Sequence, residues 1–441
     1  MFGKNFDSKQ NSFEEDLKSF LKDRTVFDSD IKLVVQEVIE LVRAKGDRGV
    51  IEATNKFDNR NITSIDELII STDYAKKSFR RTDREILDAL EFSYKRILSF
   101  HENLYSEFSN RATSVSSNNG IKKVYRSLED VVMYVPGGKA SYPSTVLMAA
   151  GPAQASGVKR LSLTTPCPSG HKNQLTLAAA RVAGIEKIYS IGGIQAIAAF
   201  SLGTESIEKV QKVIGPGNQY VAEAKRQLYG EVGIDSIAGP SEIVIVTDVE
   251  SDPVLVAWDL MAQAEHDEQA TSILISSSKE FIFEVKTIIE EELKNLPRAE
   301  IINTSLKNKG ACIFVDSSNQ AVDIVNMIAP EHLHIVTKNA IEDAKNISRA
   351  GLILVGKDSA NSLSDYVLGP SHILPTKGSA SFSSPLSVED FIVSSSYIEI
   401  KASDNIELYE DILDATFILA EAEGLNAHAR AAQIRKKRAN P

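Results

Sequence analysis

The chain has 441 residues, 43% of them hydrophobic and 25% charged, a globular composition too long for one typical core, so two or more domains are expected. A formal net charge of −11 argues against nonspecific binding to nucleic acid, and no stretch approaches the roughly 18 unbroken apolar residues of a bilayer span. The opening residues lack the basic start and apolar core of a secretory signal, and two cysteines with no CxxC spacing exclude a disulfide framework and a thiolate zinc site; a cytoplasmic protein is expected. In chain order, residues 1 to about 110 read as helical: Asp30 to Arg43 carries apolar residues at helical spacing until Gly46 stops it, and a second run extends from Thr82 to Ser106. The Ser- and Asn-rich segment 110–120 reads as a loop. From about 130 short apolar strands alternate with helices. The strands expected are Asp130–Val135, Arg160–Thr164, Lys187–Ile191, Lys209–Ile214, Ile243–Val246, Ser272–Ile275, Cys312–Val315, Leu333–Val336 and Leu352–Val355. The helices expected between them include Gln174–Ala183, Ile194–Phe200, Gln219–Leu228, Asp252–Glu265 and Gln320–Ile328. Such alternation implies α/β layers with largely parallel sheets. From about 405 the chain reads as helical again, and the run Arg435–Arg438 suits a helix end, where cations complement the dipole.

No G-x-x-x-x-G-K-[ST] occurs, and no G-x-G-x-x-G follows a strand. Gly215-Pro216-Gly217-Asn218 stands between a strand and a helix but lacks the third glycine. A nucleotide there would be held by contacts other than the usual close pyrophosphate cradle. Cys312 reads as a buried strand residue. Cys167, between Pro166 and Pro168, reads as a loop residue; a nucleophilic role would require a histidine that the nearby sequence does not supply.

The seven histidines are more informative. His101 and His171 lie in polar surroundings and are expected at the surface. The other five fall in the last two fifths of the chain. Gln263 and His266 are three apart on a helix whose buried face is read from Leu255, Trp258 and Ala262, so they share another face and can grip one divalent ion; a polar helix terminus is the plainer reading. Glu331 and His332 follow Pro330 at a helix-to-strand turn, and both carry protons near neutral pH. His334 alternates with Leu333 and Ile335 and reads as structural. Asp365 and His372 share a Gly/Pro loop. Gly424 ends one helix, Asn426 is a suitable N-cap for the next, and His428 falls in that helix's first turn.

Taken together these segments resemble the histidinol dehydrogenase family. So do Tyr134-Val135-Pro136-Gly137-Gly138, Ile191 to Ala196, Gly215 to Asn218 and Ala238-Gly239-Pro240-Ser241-Glu242, in order from about residue 27 to the C-terminus. The resemblance implies zinc on Gln263, His266, Asp365 and His428. It implies substrate contacts from Ser241, Glu423 and His372 besides the metal site and His332, NAD contacts from Tyr134, Gln195 and Asn218, and a catalytic pair in Glu331 and His332. One departure stands out: where the family carries an acid just before the Asp365 segment, this chain has Asn361. The implied reaction is the two-step NAD-dependent oxidation of L-histidinol through L-histidinaldehyde to L-histidine. In it His332 removes protons, Glu331 activates the water that attacks the aldehyde, and zinc orients the substrate.

The implied fold is two incomplete Rossmann-like α/β domains with small helical terminal segments. Its parts are an N-terminal segment 1–26, a first domain split between 27–133 and 241–386, a second over 134–240, and a C-terminal dimerisation segment 387–441. The family's homodimer, with the tail of one subunit completing the other's site, is expected. Open alternatives are a sister zinc/NAD alcohol dehydrogenase acting on another small diol or amino alcohol, a zinc hydrolase with Glu331 as base, and a binding protein that kept the fold.

Overall fold

The computed structural model describes residues 2–22, 29–114, 120–137 and 142–439. Among them the strands are β1 (Lys4–Asp7), β2 (Ile69–Ile70), β3 (Ile121–Ser127), β4 (Asp130–Tyr134), β5 (Arg160–Thr164), β6 (Lys187–Tyr189), β7 (Lys212–Ile214), β8 (Gly233–Ile234), β9 (Glu242–Thr247), β10 (Thr271–Ser276), β11 (Ala311–Phe314), β12 (His332–Ile335), β13 (Leu352–Val355) and β14 (Ile392–Ile398). Two six-stranded sheets result, β1-β11-β10-β9-β12-β13 and β2-β6-β5-β4-β7-β8, with β3 and β14 paired separately. All pairings in the first sheet are parallel, as are those in the second apart from β2 with β6.

Each sheet runs outward through three consecutive strands and then returns to the other side of the first. Numbered from β9 or from β4, both have the order 3-2-1-4-5, the dinucleotide-binding order without its sixth strand. The central strands are buried on both faces and read as unbroken apolar runs, Glu242–Thr247 and Thr271–Ser276 being buried throughout. The expected strands Arg160–Thr164 and Leu352–Val355 form with those bounds, as does the helix Gln219–Leu228.

The sheets partition the chain differently from the expected division. Residues 29–105 and 127–133 belong with the second sheet: Ile31, Val35, Val50 and Leu68 share a core with Val132, Tyr134 and Val213, and Leu87, Leu90 and Ile97 pack with Val131 and Met133. A boundary at 133/134 would cut β4, the strand from which that sheet grows in both directions. The N-terminal segment supplies β1, the edge strand of the first sheet, paired with β11. A hydrophobic pattern shows that a helix has a buried face but not which sheet covers it, so the assignment awaited the fold.

The helix Pro143–Ala155 escapes periodic reading because it is buried on all sides from Thr145 to Ala153. The face expected for Pro253–Ala264 is corrected: Leu255 and Trp258 are exposed, and Val256, Ala257, Leu260, Met261 and Ala264 are buried. That helix is apolar almost all round, so two stripes fit its sequence. His101 is also corrected, being buried on the long helix Arg84–Ser114, whereas His171 is exposed. The helix reaches Ser114, into the segment expected as a loop; residues 115–119 lie outside the described residues.

The chain divides into two compact units, Met1–Tyr105 with Ser127–Ile392 and Ser106–Arg126 with Val393–Pro441. The first holds both six-stranded sheets. The second holds the end of the long helix, most of β3 and β14, and the helices Ile406–Ala422 and Asn426–Ala439. These two helices meet at Gly424, which takes φ +75°; Leu425 N–H returns to Ala420 O at 2.7 Å and Gly424 N–H to Glu421 O at 3.0 Å, the left-handed helix stop that glycine permits. Asn426 is the first residue of the last helix rather than its cap, since Leu425 O accepts from Ala429 N at 3.1 Å.

Candidate functional site

Most of the expected catalytic and metal-binding residues converge on the amino edge of the first sheet. Helix Ser318–Ile328 ends at Ala329 in the left-handed region, and Pro330 prevents continuation. Glu331 then precedes β12 and His332 opens it, both buried. Glu331 Oε2 accepts the N–H of Glu242, at the start of the neighbouring β9, at 2.7 Å. His332 Nδ1 lies 3.2 Å from the carbonyl oxygen of Glu242 and 3.5 Å from Glu331 Oε2. Both are acceptors, so Nδ1 carries a proton and Nε2 is the nitrogen that gains or loses the second one. Nε2 is buried without a hydrogen-bond partner and stands 3.6 Å from Asp365 Oδ1. Burial pulls the His332 pKa down, but the Glu331 and Asp365 carboxylates outweigh it and raise it to about 10.

Asp365 lies on the short helix Asn361–Tyr366. Its Oδ2 is 4.0 Å from His266 Nε2 and 3.4 Å from Asn361 Nδ2. Burial pushes the Asp365 carboxyl upward, yet His332, His372 and His266 prevail and hold it below the usual range. Gln263 is buried at the end of its helix; Asn361 Nδ2 donates to Gln263 Oε1 at 3.1 Å, and Gln263 Nε2 has no partner. His372 Nδ1 faces the Asp365 carbonyl oxygen at 2.9 Å and its Nε2 faces Thr145 Oγ1 at 3.3 Å; burial lowers its pKa. Ser241 immediately precedes β9.

The chain at 238–242 thus does more than its motif suggested. Glu242 braces the Glu331–His332 pair through its own N–H and carbonyl, and its carboxylate accepts the N–H of Lys377. His334 is structural, as expected: Nδ1 lies 3.1 Å from Asp259 Oδ2 and Nε2 2.9 Å from Gly356 O. Cys167 and Cys312 are buried, and burial pushes their thiols up to about 11 and about 12, away from thiolate chemistry.

The expected cofactor residues occupy the carboxyl edge of the second sheet. Tyr134 ends β4; its hydroxyl accepts Gly193 N–H at 3.2 Å, and burial raises its pKa to about 12. Gln195 is buried in the first turn of the helix Gly193–Leu202, its Nε2 without a partner. Gly215–Asn218 follows β7, on the other side of β4. Tyr134 and this loop therefore flank the point where the strand order reverses, the usual crevice for a nucleotide. Asn218 Oδ1 caps the helix Gln219–Leu228 by accepting from Tyr220 N at 3.1 Å and Val221 N at 3.2 Å, so these two amides are already satisfied. Asp58, not anticipated from sequence, adds a buried carboxylate that accepts Gly192 N–H and whose pKa burial raises.

Glu423 and His428 lie in the second unit, Glu423 at the C-cap of the helix Ile406–Ala422 and His428 in the first turn of the last helix, both exposed. Among the described residues no three His, Cys, Asp or Glu side chains group closely enough to hold a metal; the gathered donors are one histidine, one aspartate and one glutamine.

Two sheets of dinucleotide-binding order, one bearing a buried Glu–His pair, define an α/β protein of Rossmann-like topology, and its family is that of an oxidoreductase. The chain belongs to the histidinol dehydrogenase family: the model of that family, described as histidinol dehydrogenase, matches residues 21–436. It is 41% identical over 436 residues to a histidinol dehydrogenase of Neisseria gonorrhoeae, covering 98% of this chain and 100% of that one. It is 43% identical over 414 residues to one of Clostridium acetobutylicum, covering 93% of each. The crystal structure of histidinol dehydrogenase from Elizabethkingia anophelis superposes with a TM-score of 0.88 at 32% identity, over 99% of each chain.

Proposed function

We propose that this protein oxidises L-histidinol to L-histidine in two NAD-dependent steps, as a cytoplasmic enzyme of histidine biosynthesis. The observation that carries the reading is the buried Glu331–His332 pair, fixed by β9 and β12 and facing Asp365, in a member of this family. When bound, nicotinamide accepts hydride and a divalent ion such as zinc orients the substrate's imidazole and amine.

The residues present fit both groups. Gln263, His266 and Asp365 offer the oxygen and imidazole donors that suit zinc: Asp365 Oδ2 is 4.0 Å from His266 Nε2, and Asn361 joins Gln263 Oε1 to Asp365 Oδ2. A fourth ligand, His428, together with Glu423 as a substrate contact, is proposed to come from a second copy of the chain. The second unit exposes large apolar side chains, among them Ile398, Ile418, Leu419 and Leu425, and such patches mark protein interfaces. For NAD, Tyr134, Gln195 and Asn218 line the strand-order reversal, and the Gln195 amide has a free buried donor.

His332 takes the substrate hydroxyl proton at Nε2, because Nδ1 is committed to Glu242 O, and the nearby Glu331 and Asp365 carboxylates stabilise the imidazolium that forms. Glu331 orients the imidazole and, in the second step, takes a proton from the water that hydrates the aldehyde. Ser241, just before β9, and His372, against the Asp365 carbonyl oxygen, are the further substrate contacts in this reading. The test is an assay with L-histidinol that counts NADH against histidine. Two NADH per histidine supports the proposal; turnover of other small diols or amino alcohols but not histidinol overturns it.

A further inference from the structure

The loop Gly215–Asn218 is held by an ion pair buried in the second sheet's core. Lys225 projects from the helix that follows the loop, and Asp235 stands just past β8; their side chains are 2% and 3% exposed. Lys225 Nζ donates to Asp235 Oδ1 and also, at 3.0 Å, to the carbonyl oxygen of Gly215. Asp235 Oδ2 accepts the N–H of Gly215 at 2.7 Å. Both backbone polar groups of one loop residue therefore end on a single ion pair.

Gly215 itself takes φ +104°, and a Cβ there would stand 2.1 Å from the carbonyl oxygen of Tyr134. The pair thus pins the start of the loop against the end of β4, beside a residue of the cofactor crevice. The surroundings are apolar, with Val213, Val221, Ala224 and Leu228 in the same core. Taking two charges out of water commonly costs more than their attraction returns, and an apolar pair often serves stability as well. What the ion pair supplies, and an apolar pair cannot, is a donor and an acceptor aimed at Gly215. This loop also lacks the third glycine of the usual fingerprint, and its helix amides are taken up by Asn218.

We propose that Lys225 and Asp235 are positioning residues for the cofactor: they set the Gly215–Asn218 loop in the shape that receives a nicotinamide dinucleotide before it binds. Holding a binding loop ready reduces the ordering that binding must impose, and this raises affinity. The proposal rests on the NAD reading above, and NADH is the probe. A single change such as Lys225→Met leaves a buried charge unpaired and can prevent folding, so the test uses Lys225→Met/Asp235→Leu together.

The double variant is expected to bind NADH about tenfold or more weakly in a fluorescence titration and to raise KM for NAD by a similar factor. The KM for L-histidinol and kcat at saturating NAD should change little. A folded double variant with wild-type NADH affinity overturns the proposal. Wild-type enzyme that fails to bind NADH overturns the NAD reading instead. Amide exchange on the wild-type enzyme supplies the check that needs no variant. The peptide carrying Gly215 should be protected without NADH and gain little on its addition; protection that develops only with NADH overturns the proposal.

Discussion

Asn361 Nδ2 lies 3.1 Å from Gln263 Oε1, so a neutral amide joins the helix Asn361–Tyr366 to the end of the helix Pro253–Ala264. The same nitrogen is 3.4 Å from Asp365 Oδ2. An acid at this position, as the family resemblance implies, would face Asp365 one helical turn away with like charge; the amide instead donates to it. Asn361→Leu keeps the bulk and removes both bonds. It should weaken zinc binding by about 10- to 100-fold, the usual effect of losing a group that orients a ligand. Competition with a chelator measures this, and unchanged competition would show that the amide only fills space.

His266 and His334 should separate activity from stability. His266 Nε2 faces Asp365 from a partly exposed position, whereas His334 is buried with a partner on each ring nitrogen. Chelation should abolish activity and zinc restore it. His266→Asn should abolish activity with little change in Tm. His334→Asn should leave kcat near wild type but cost about 1–3 kcal/mol of stability through unpaired buried groups. Full turnover by metal-depleted protein would contradict the ligand assignment.

The Glu331–His332 pair predicts different losses in the two half-reactions. Glu331→Gln still meets Glu242 N–H but cannot accept a proton from water. It should slow oxidation of L-histidinaldehyde by about 100-fold or more while slowing oxidation of L-histidinol much less. His332→Asn should slow both. Because the base must be unprotonated to act, kcat/KM for L-histidinol should fall as pH drops and protonates His332, and His332→Asn should flatten that fall. Single-turnover NADH formation from each substrate is the measurement; equal losses in Glu331→Gln would reduce Glu331 to a brace for His332.

If the partner copy supplies His428, two inactive variants should rescue one another. His266→Asn and His428→Asn subunits, mixed and exchanged, should regain activity, since one site in each mixed dimer recovers both ligands. Persistent inactivity with subunit exchange demonstrated by mass spectrometry would place the complete site within one chain.

His101 should govern part of the acid sensitivity. Burial lowers its pKa from 6.5 to about 4, and neither ring nitrogen has a hydrogen-bond partner. Between those values the unfolded chain binds a proton that the folded protein does not, so stability falls as pH drops through that window. The contribution is at most about 3 kcal/mol. Urea unfolding from pH 7 to pH 4 should show a shallower loss in His101→Leu than in wild type; parallel slopes would locate the sensitivity elsewhere.

Sequence alone determined the alternation of strands and helices, because strands buried on both faces are short apolar runs, and Arg160–Thr164, Gln219–Leu228 and Leu352–Val355 end where their apolar patterns end. It also singled out Glu331, His332, Gln263, His266 and Asp365, since few residue types carry protons or bind metals and the motifs around them are unusual. It could not assign residues 29–105 to the second sheet, expose Leu255 and Trp258, or bury His101, because periodicity reports that a face is apolar and not which surface covers it. Nor could it find the grip of Lys225 and Asp235 on Gly215, or the bracing of His332 by Glu242. Those contacts join residues 10, 20 and 90 positions apart, and only the packing of parallel strands, and of a helix against them, brings these groups within hydrogen-bonding distance.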